Sequence, residues 1–274
     1  MGVLDLDICG PSIPSLLGVV NGQIRAEDRE GAGKGNWEPI WVSENLCCMS
    51  IGFMLPGRDS AVVWRGPRKN GLIKQFLSSV NWGPLDYLIV DTPPGTSDEH
   101  ISIVQYFSEF DLSAASTASG AAADETGITA AVLVTTPEEV AVNDVRRQVT
   151  FCKKVKLPIL GVVENMSGLR LNASDCAFVD QNGVDKTEEI LKLLGSGGGT
   201  VLSECFGKSS EKNTICDEYG INFLGKVPLD PTVGKSGDLG ISLVEASGEN
   251  GGGDTMAAIA EVVEGILEKT GEKE

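Results

Sequence analysis

Short apolar runs and longer segments of helical periodicity alternate along most of the chain. The short runs are rich in Val, Ile and Leu and end at polar or turn-forming residues, as buried parallel strands do. The longer segments repeat their apolar positions every three or four residues, which is the period of a helix with one buried face. This alternation predicts an α/β fold, a mostly parallel sheet with helices on both faces. The predicted strands cover residues 2–8, 61–65, 86–91, 130–135, 159–164 and 222–227.

Three helices are predicted from apolar spacing and from signals at their ends. The first begins near Pro67 and buries a face that includes Leu72 and Phe76. The second begins at Thr136, where a threonine N-cap, a proline in the first turn and a glutamate at the third position form a capping box. The third lies near the end of the chain and includes Met256 on its apolar face.

The chain is predicted to form a single domain over residues 1–274, because no internal repeat and no sharp change of composition divides it. Three segments, 113–127, 171–200 and 247–254, interrupt the alternating pattern with stretches rich in Ala, Ser, Thr or Gly. Such stretches bury little apolar area, so we expect these segments to be surface insertions.

The chain is strongly acidic, with 22 Lys and Arg against 39 Asp and Glu and a net charge of -17. This charge disfavours nucleic acid and anionic membranes as partners, because both carry negative charge themselves. The seven cysteines form no Cys-x-x-Cys pair, which favours a reducing compartment over a disulfide framework. The first residues are typical of a core strand rather than a signal peptide, so we expect a cytoplasmic location.

Acidic residues lie near the ends of two of the predicted strands. Asp91 ends an apolar strand and precedes a stiff Pro-Pro turn and Gly95. A carboxylate at this end of a buried strand lies where α/β sheets bind ligands, and it can hold a water bound to Mg²⁺. The alternative role, capping the next helix, is already available to Ser97. Asp5 and Asp7 alternate along the first strand, so their side chains point to opposite faces of the sheet unless Asp7 has already left it. A carboxylate buried within a parallel sheet needs a partner, such as a metal-bound water or a lysine.

Several strings in one order resemble the Mrp/ApbC-type P-loop ATPases and, among them, most closely the cytosolic nucleotide-binding scaffold proteins of iron-sulfur cluster assembly. The resemblance covers nearly the whole chain apart from the three predicted insertions. The strings are Asp5-Leu-Asp7-Ile-Cys-Gly-Pro-Ser-Ile-Pro14, Trp64-Arg-Gly-Pro67, Asp91-Thr-Pro-Pro-Gly-Thr-Ser-Asp-Glu-His100, Val163-Glu-Asn-Met-Ser-Gly168 and Val227-Pro-Leu-Asp-Pro231.

The resemblance implies a P-loop NTPase fold of the MinD/Mrp type that binds ATP and Mg²⁺. By position, Asp7 resembles the carboxylate that orients the attacking water, and Asp91 resembles the Walker B aspartate that reaches Mg²⁺ through water. Gly95 resembles the glycine near the γ-phosphate, and Asn165 resembles the asparagine that hydrogen-bonds the adenine ring. A strand-ending Asp7 and a turn-forming Asn165 are the local alternatives.

The sequence departs from the family in its phosphate-binding loop. The Gly-Lys pairs at residues 33–34, 207–208 and 234–235 each lack the glycine that a P-loop carries five residues earlier. In the family the loop precedes the first strand of this chain and follows a strand beside the Walker B strand. We therefore expect an N-terminally truncated form with two unpaired strand edges that binds ATP weakly or not at all.

The second departure concerns the cluster. Relatives carry a Cys-Pro-x-Cys pair soon after the Glu-Asn-Met-Ser-Gly string and share one 4Fe-4S cluster between two subunits, but this chain has no such pair. Cys176 and Cys205 flank a predicted insertion, and loop closure could bring them together as ligands; the alternative is that both are ordinary thiols. The remaining cysteines near apolar runs, which are Cys9, Cys47, Cys48 and Cys152, are predicted core residues.

These features together predict an ATP-dependent scaffold or carrier of iron-sulfur clusters. The implied partners are a second copy or a paralogous scaffold ATPase, together with apo iron-sulfur client proteins. Two alternatives remain from the sequence: a non-hydrolysing adaptor that pairs with an intact homologue, and a positioning ATPase like MinD or ParA.

Overall fold

A computed structural model describes residues 1–27, 36–54, 66–117, 130–195, 198–206, 214–247 and 253–271. The strands are β1 (Gly2–Asp5), β2 (Ala26–Glu27), β3 (Asn36–Trp37), β4 (Ile40–Ser43), β5 (Leu46–Ser50), β6 (Leu88–Asp91), β7 (Ala131–Thr135), β8 (Ile159–Asn172), β9 (Thr200–Ser203) and β10 (Phe223–Leu229). The helices are α1 (Ile13–Leu16), α2 (Gly66–Ser79), α3 (Asp98–Thr117), α4 (Glu139–Val155), α5 (Thr187–Leu194), α6 (Thr214–Tyr219), α7 (Pro231–Leu239), α8 (Leu243–Ser247) and α9 (Gly253–Thr270), with 3-10 turns at Ile51–Met54 and Ala173–Asp175.

The chain divides into two compact units. The first comprises Met1–Thr129, Thr150–Pro158 and Gly234–Ala246, and the second comprises Ala130–Val149, Ile159–Val233 and Ser247–Glu274. Each unit has its own sheet and its own apolar core.

The first unit is built on a four-stranded sheet in the order β4-β5-β1-β6. Strand β1 lies parallel to both β5 and β6, whereas β4 pairs antiparallel with β5. Helix α2 covers the sheet with the apolar face predicted from its sequence, and Ile73 and Phe76 are fully buried against Leu4 and Leu6. Trp37 meets the Phe76 ring edge-to-face at 5.5 Å. Apolar burial of this kind is the main stabilising contribution to the unit.

Strand β1 ends at Asp5, earlier than its predicted end, and the buried Asp5 carboxylate joins it to β5. The Ser50 hydroxyl donates to Asp5 Oδ2 at 2.8 Å, and the Asp7 amide donates to Oδ1 at 3.1 Å. The partner of this carboxylate is therefore a hydroxyl and a backbone amide rather than a lysine. Burial raises the pKa of Asp5 to about 6, although the hydrogen bonds from Ser50 and Asp7 act in the opposite direction.

The second unit has a parallel sheet in the order β10-β8-β7, and β9 pairs antiparallel with the last part of β8. Strand β8 therefore has two sets of neighbours along its 14 residues. Between them, Met166 and Gly168 adopt positive φ angles of 55° and 125°. Helix α9 packs on this sheet through Val262, which is buried with Val163 and Leu224.

Most of the predicted elements are present. Five of the six predicted strands correspond to β1, β6, β7, β8 and β10, and residues 61–65 lie outside the described part. Helices α2 and α9 confirm the first and third predicted helices.

One local prediction was wrong. Helix α4 begins at Glu139, and the Thr136 hydroxyl donates to the Glu138 carboxylate at 2.7 Å instead of capping a backbone amide, so the capping box does not form. The segment 171–200, predicted as a surface insertion, contains the end of β8, a 3-10 turn and α5. In the segment 113–127, residues up to Thr117 belong to α3, and the others lie outside the described residues, as do residues 248–252 of the third segment.

None of the helices within the described residues combines the length and the apolar character that crossing a bilayer requires.

Two glycines of the first unit bring backbone segments into close contact. Gly18 and Gly240 have φ angles of 68° and 67°, and a Cβ added to Gly240 would lie 2.4 Å from the Gly18 Cα. No side chain fits there without moving backbone.

We predict that Gly240→Ala lowers the free energy of unfolding by about 2–4 kcal/mol, because it adds a backbone clash to the cost of a left-handed alanine. The matched control is Gly83→Ala, since Gly83 has a φ of 65° but no atom within 4 Å of an added Cβ. The control should lose only about 1 kcal/mol. Urea denaturation of both variants tests this, and equal losses would contradict it.

The raised pKa of Asp5 predicts a pH-dependent stability. The folded chain keeps a proton that the unfolded chain releases between about pH 4 and pH 6, so the free energy of unfolding falls as pH rises through this window. The fall attributable to Asp5 is at most about 3 kcal/mol. Urea midpoints from pH 4 to pH 7 should show that Asp5→Asn lacks this part of the slope, whereas Asp86→Asn, at an exposed position of the same unit, keeps it. An unchanged slope in Asp5→Asn would show that another group is responsible.

Candidate functional site

The carboxyl ends of β1 and β6 lie side by side in the first unit. Asp5 is the register partner of Asp91, and the Leu6 amide donates to the Asp91 carbonyl at 2.8 Å. The pairing therefore continues one residue beyond β1. Because the two strands are parallel, the loops that follow them begin at the same edge of the sheet.

Asp7 lies in the loop after β1 and has left the sheet. Its Oδ1 accepts hydrogen bonds from the backbone amides of Cys9 and Gly10, both at 3.2 Å. Two amide donors on one oxygen fix the orientation of the carboxylate. The open question from the sequence is thus resolved, because Asp5 is buried in the sheet and Asp7 belongs to the loop.

Asp91 is half-buried at the end of β6. Burial raises its pKa, and the negative charge of Asp7 raises it further, so the two carboxylates are close enough to repel each other. No lysine or arginine among the described residues forms a salt bridge with Asp7 or Asp91. A hydrated divalent cation at Asp91 would relieve this repulsion, so the charge distribution fits Mg²⁺.

The loop after β6 passes through Gly95, which is exposed and has a φ of 83°. No atom lies within 4 Å of the position that a Cβ would occupy on Gly95. This glycine leaves room for a ligand to approach the backbone, as its predicted role near a phosphate requires.

His100 holds the loop that contains Gly95. The Ser97 amide donates to His100 Nδ1 at 3.1 Å, and the ring also hydrogen-bonds the Pro93 carbonyl. Burial lowers the pKa of His100, which keeps the ring neutral, and the ring meets Phe151 edge-to-face at 6.1 Å. This role of His100 was not predicted from the sequence. The signal was the Ser-x-x-His spacing at the start of α3, since a side chain at this helix position can accept the N-cap amide, as glutamate does in a capping box.

Lys69 connects helix α2 to both loops. Its ammonium donates to Glu99 Oε1 at 2.8 Å and to Cys9 Sγ at 3.1 Å, and Glu99 also accepts a hydrogen bond from the Ser97 hydroxyl. The hydrogen bond with Lys69 lowers the pKa of Glu99, and the hydrogen bond with Glu99 raises the pKa of Lys69. The prediction that Cys9 is a core residue was wrong, because the thiol is exposed, whereas Cys47, Cys48 and Cys152 are buried as predicted.

Asn165 lies in β8 of the second unit. Its side-chain oxygen accepts the Met166 amide at 2.9 Å, so the side chain supports the local turn at Met166. This is the structural alternative considered from the sequence, and the adenine contact of Asn165 stays a prediction.

Cys176 and Cys205 lie near opposite ends of the ladder between β8 and β9. Cys176 Sγ contacts the Asn172 carbonyl at 3.4 Å, and Cys205 Sγ contacts the Ser203 hydroxyl at 3.7 Å. Asn172 pairs with Thr200, whereas Ser203 pairs with Leu169 at the other end. Three strand steps of about 3.4 Å separate these ends by about 10 Å. The residues that the two thiols contact therefore lie at opposite ends of the ladder, and iron binding by Cys176 and Cys205 stays a prediction.

The described residues contain neither a phosphate-binding loop nor a preformed metal site. The pair Gly234-Lys235 lies inside helix α7, where backbone amides serve the helix, and the pairs at 33–34 and 207–208 fall outside the described residues. The pair Gly225-Lys226 has a glycine five residues earlier, but it lies inside strand β10 and is followed by Val227. No group of three or more His, Cys, Asp or Glu side chains within the described ranges is placed to hold a metal ion.

Comparison with solved structures identifies the fold. A nucleotide-binding protein of Archaeoglobus fulgidus, in complex with ADP and with Co found in it, is 29% identical to this chain, with 87% of this chain and 73% of that chain covered and a TM-score of 0.55. The septum site-determining protein MinD of Pyrococcus horikoshii, complexed with Mg-ADP, is 18% identical over 98% of this chain and 84% of its own length, with a TM-score of 0.53. MinD of Aquifex aeolicus is 16% identical over 100% of this chain and 84% of its own length, with a TM-score of 0.51.

The two MinD proteins show the fold alone, which is the α/β fold of P-loop NTPases. The family profile described as "ParA: NUBPL iron-transfer P-loop NTPase" matches residues 1–198, which is more than half of the 274 residues and includes Asp7, Asp91, Gly95 and Asn165. The chain therefore belongs to the ParA/NUBPL family of iron-transfer P-loop NTPases.

Proposed function

We propose that this chain is a carrier of iron-sulfur clusters whose cluster loading or release is driven by ATP. The observation that carries the proposal is the convergence of Asp7 and Asp91 at one sheet edge in a chain of an iron-transfer NTPase family. The family match supports iron as the cargo. The sheet edge that carries Asp7 and Asp91, called the acidic edge below, supports the binding of a nucleotide with Mg²⁺.

Within the proposed nucleotide site, each residue of the edge has a separate task. Asp91 would hold Mg²⁺ through water, and Mg²⁺ supplies positive charge to the phosphates when it is bound. Asp7 would orient the attacking water, and its two amide donors keep the carboxylate in one orientation for that purpose. Gly95 would present its backbone amide near the γ-phosphate.

The Gly-Lys pairs of this sequence supply no P-loop lysine to the phosphates. Three of them lack the first glycine of the motif, and Gly225-Lys226, which has it in Gly220, is followed by Val227 instead of Ser or Thr and lies inside strand β10. We therefore propose that this chain alone binds ATP weakly and that its nucleotide affinity depends on the acidic edge. In P-loop proteins, the backbone amides and the lysine of the phosphate-binding loop contact the β- and γ-phosphates.

The proposed cargo is a 4Fe-4S cluster, which thiolates bind. Cys205 is exposed and Cys176 is partly exposed, so both thiols are accessible to iron. Because Asn172 and Ser203, which the two thiols contact, lie at opposite ends of the β8–β9 ladder, we propose that a cluster takes its thiolates from two chains, either two copies or one copy and a paralogous ATPase. The recipients would be apo iron-sulfur proteins of the cytoplasm.

We predict that Asp91→Asn weakens binding of Mn²⁺ in the presence of ADP by about tenfold or more, because it removes the carboxylate that holds the hydrated metal. Titration followed by the electron paramagnetic resonance of free Mn²⁺ measures this. Asp144→Asn is the matched control, since Asp144 is an exposed partner of Arg147 on α4. Equal loss in both variants would show nonspecific attraction to an acidic protein and contradict the metal site.

We predict that anaerobic reconstitution with iron and sulfide loads a cluster onto the wild-type chain and that Cys176→Ser and Cys205→Ser each lower the bound iron by about half or more. Iron and sulfide per chain, and transfer to an apo acceptor protein, are the measurements. Cys9→Ser is the control, because Cys9 lies in the first unit and is bound to Lys69. Unchanged iron in the double variant would contradict the assigned ligands, and a wild-type chain without iron or sulfide would favour the adaptor role.

A further inference from the structure

A buried polar pair lies beneath the loop that carries Asp7. Asp5 and Ser50 are both fully buried at the ends of β1 and β5, and the Ser50 hydroxyl donates to Asp5 Oδ2 at 2.8 Å. None of the salt bridges in the described part of the chain includes Asp5. A buried carboxylate without a cation depends on hydrogen-bond donors, so the groups that donate to Asp5 determine whether the fold can accommodate it.

Backbone amides from both ends of the loop interact with this carboxylate. The Asp7 amide donates to Asp5 Oδ1 at 3.1 Å. The amide of Ile13, the first residue of α1, also interacts favourably with the Asp5 carboxylate. Residues 8–12 lie between these two contacts, so one buried side chain fixes both the start and the end of the loop relative to the sheet.

Ser50 extends the pair to the 3-10 turn after β5. The Gly52 amide donates to Ser50 Oγ at 3.0 Å. A Cβ added to Gly52 would lie 3.1 Å from Pro14 Cγ and 3.6 Å from Pro11 Cβ, so this turn packs directly against the end of the loop and the start of α1. The Ser50 hydroxyl donates to Asp5 and accepts from Gly52, and it thereby links the sheet, the turn and the loop.

Packing alone does not account for these two polar side chains. Leu4, Leu6 and Met49, their neighbours in sequence, are fully buried apolar residues of the core. An apolar residue in place of Asp5 would avoid the cost of removing a carboxylate from water, which hydrogen bonds offset only in part. The donors to the pair belong to the chain segments that follow β1 and β5, so the effect of the pair is to define the conformation of these segments.

We infer that Asp5 and Ser50 are positioning residues for Asp7, which hold the backbone of its loop so that the Asp7 carboxylate stays at the acidic edge. The amides of Cys9 and Gly10 orient the Asp7 side chain, and the buried pair fixes the backbone that carries them. Because Asp5 and Ser50 are fully buried, they act through the loop rather than on a nucleotide directly. The inference rests on the proposed role of Asp7 in ATP hydrolysis, but the hold on the loop can be measured without it.

The first test measures this hold by hydrogen–deuterium exchange of the full chain, followed by mass spectrometry of its peptides. In Ser50→Ala, the amides of residues 6–14 should exchange about tenfold faster than in the wild-type chain, while peptides of the second unit stay unchanged. Ser102→Ala is the matched control, because it also removes a largely buried hydroxyl from the first unit, one that donates to the Asp98 carbonyl within α3. Loop exchange that is no faster in Ser50→Ala than in Ser102→Ala would overturn the inference.

A second variant tests the acceptor of the pair. Asp5→Asn leaves one acceptor oxygen in place of two, so it should also speed exchange of the loop. A variant that unfolds would speed exchange of β1 and β5 as well, which identifies that case, and Ser50→Ala then decides the question.

ATP turnover shows whether the pair acts through Asp7. Ser50→Ala should lower kcat about tenfold and leave the KM for ATP within about twofold of wild type, because a misplaced loop disturbs the attacking water more than nucleotide binding. In an Asp7→Asn background, the same substitution should change kcat by less than about twofold, since the group that it positions is already lost.

The outcomes separate the inference from the proposed function. An equal loss of kcat from Ser50→Ala in the wild-type and Asp7→Asn backgrounds would overturn the inference, because the pair would then act independently of Asp7. A wild-type chain that hydrolyses ATP no faster than Asp7→Asn would contradict the proposed role of Asp7, and loop exchange alone would then decide whether the pair holds the loop.

Discussion

The parallel pairing of β1 with β6 is the constraint on which the candidate site depends. It makes Asp5 and Asp91 register partners and extends one hydrogen bond further, from Leu6 to the Asp91 carbonyl. Two chain segments that are far apart in sequence are thereby fixed at one edge, with their loops leaving in the same direction. The pairing also concentrates negative charge, and the fold manages the three carboxylates differently. Asp5 is buried against Ser50, Asp7 is held by two amides, and Asp91 is left at the edge, where a cation can reach it.

Side-chain contacts then hold the two loops in place. His100 accepts the Ser97 amide and contacts the Pro93 carbonyl, so the loop after β6 is held at both ends by a neutral ring. Lys69 and Glu99 connect that loop, through α2, to the loop after β1. Such half-buried hydrogen-bonded charges contribute more to defining one arrangement than exposed pairs do, because solvent screens them less. The geometry of the site thus comes from a few polar contacts on top of the apolar core beneath α2.

Much of this arrangement follows from the sequence, since buried strands and amphipathic helices have local periodicity. The rule that parallel strands present their carboxyl ends at one edge was enough to bring Asp7 and Asp91 together. The features that were not predicted depend on contacts between residues distant in sequence or on competition between nearby hydrogen-bond partners. Strand β5 was not predicted, because its short run of Leu46 to Ser50 acquires its role only beside β1. The Thr136 hydroxyl hydrogen-bonds the Glu138 carboxylate instead of a backbone amide of the helix. Cys9 lies in an apolar stretch of sequence but is exposed, because the chain has already left the sheet at this point. The placement of Asn172 and Ser203, which Cys176 and Cys205 contact, at opposite ends of the β8–β9 ladder depends on the register of β9, which no local pattern encodes.

The length of β8 has a mechanical consequence. One continuous backbone runs from the parallel sheet, past Asn165, to the antiparallel ladder beside Cys176, and its left-handed residues Met166 and Gly168 lie between the two parts. A hydrogen-bonded strand resists stretching but bends readily where its ladder is interrupted. Any displacement of one part therefore reaches the other through the backbone of β8 and through β10, which pairs with β8 on both sides of these residues, at Asn165 and again at Leu169.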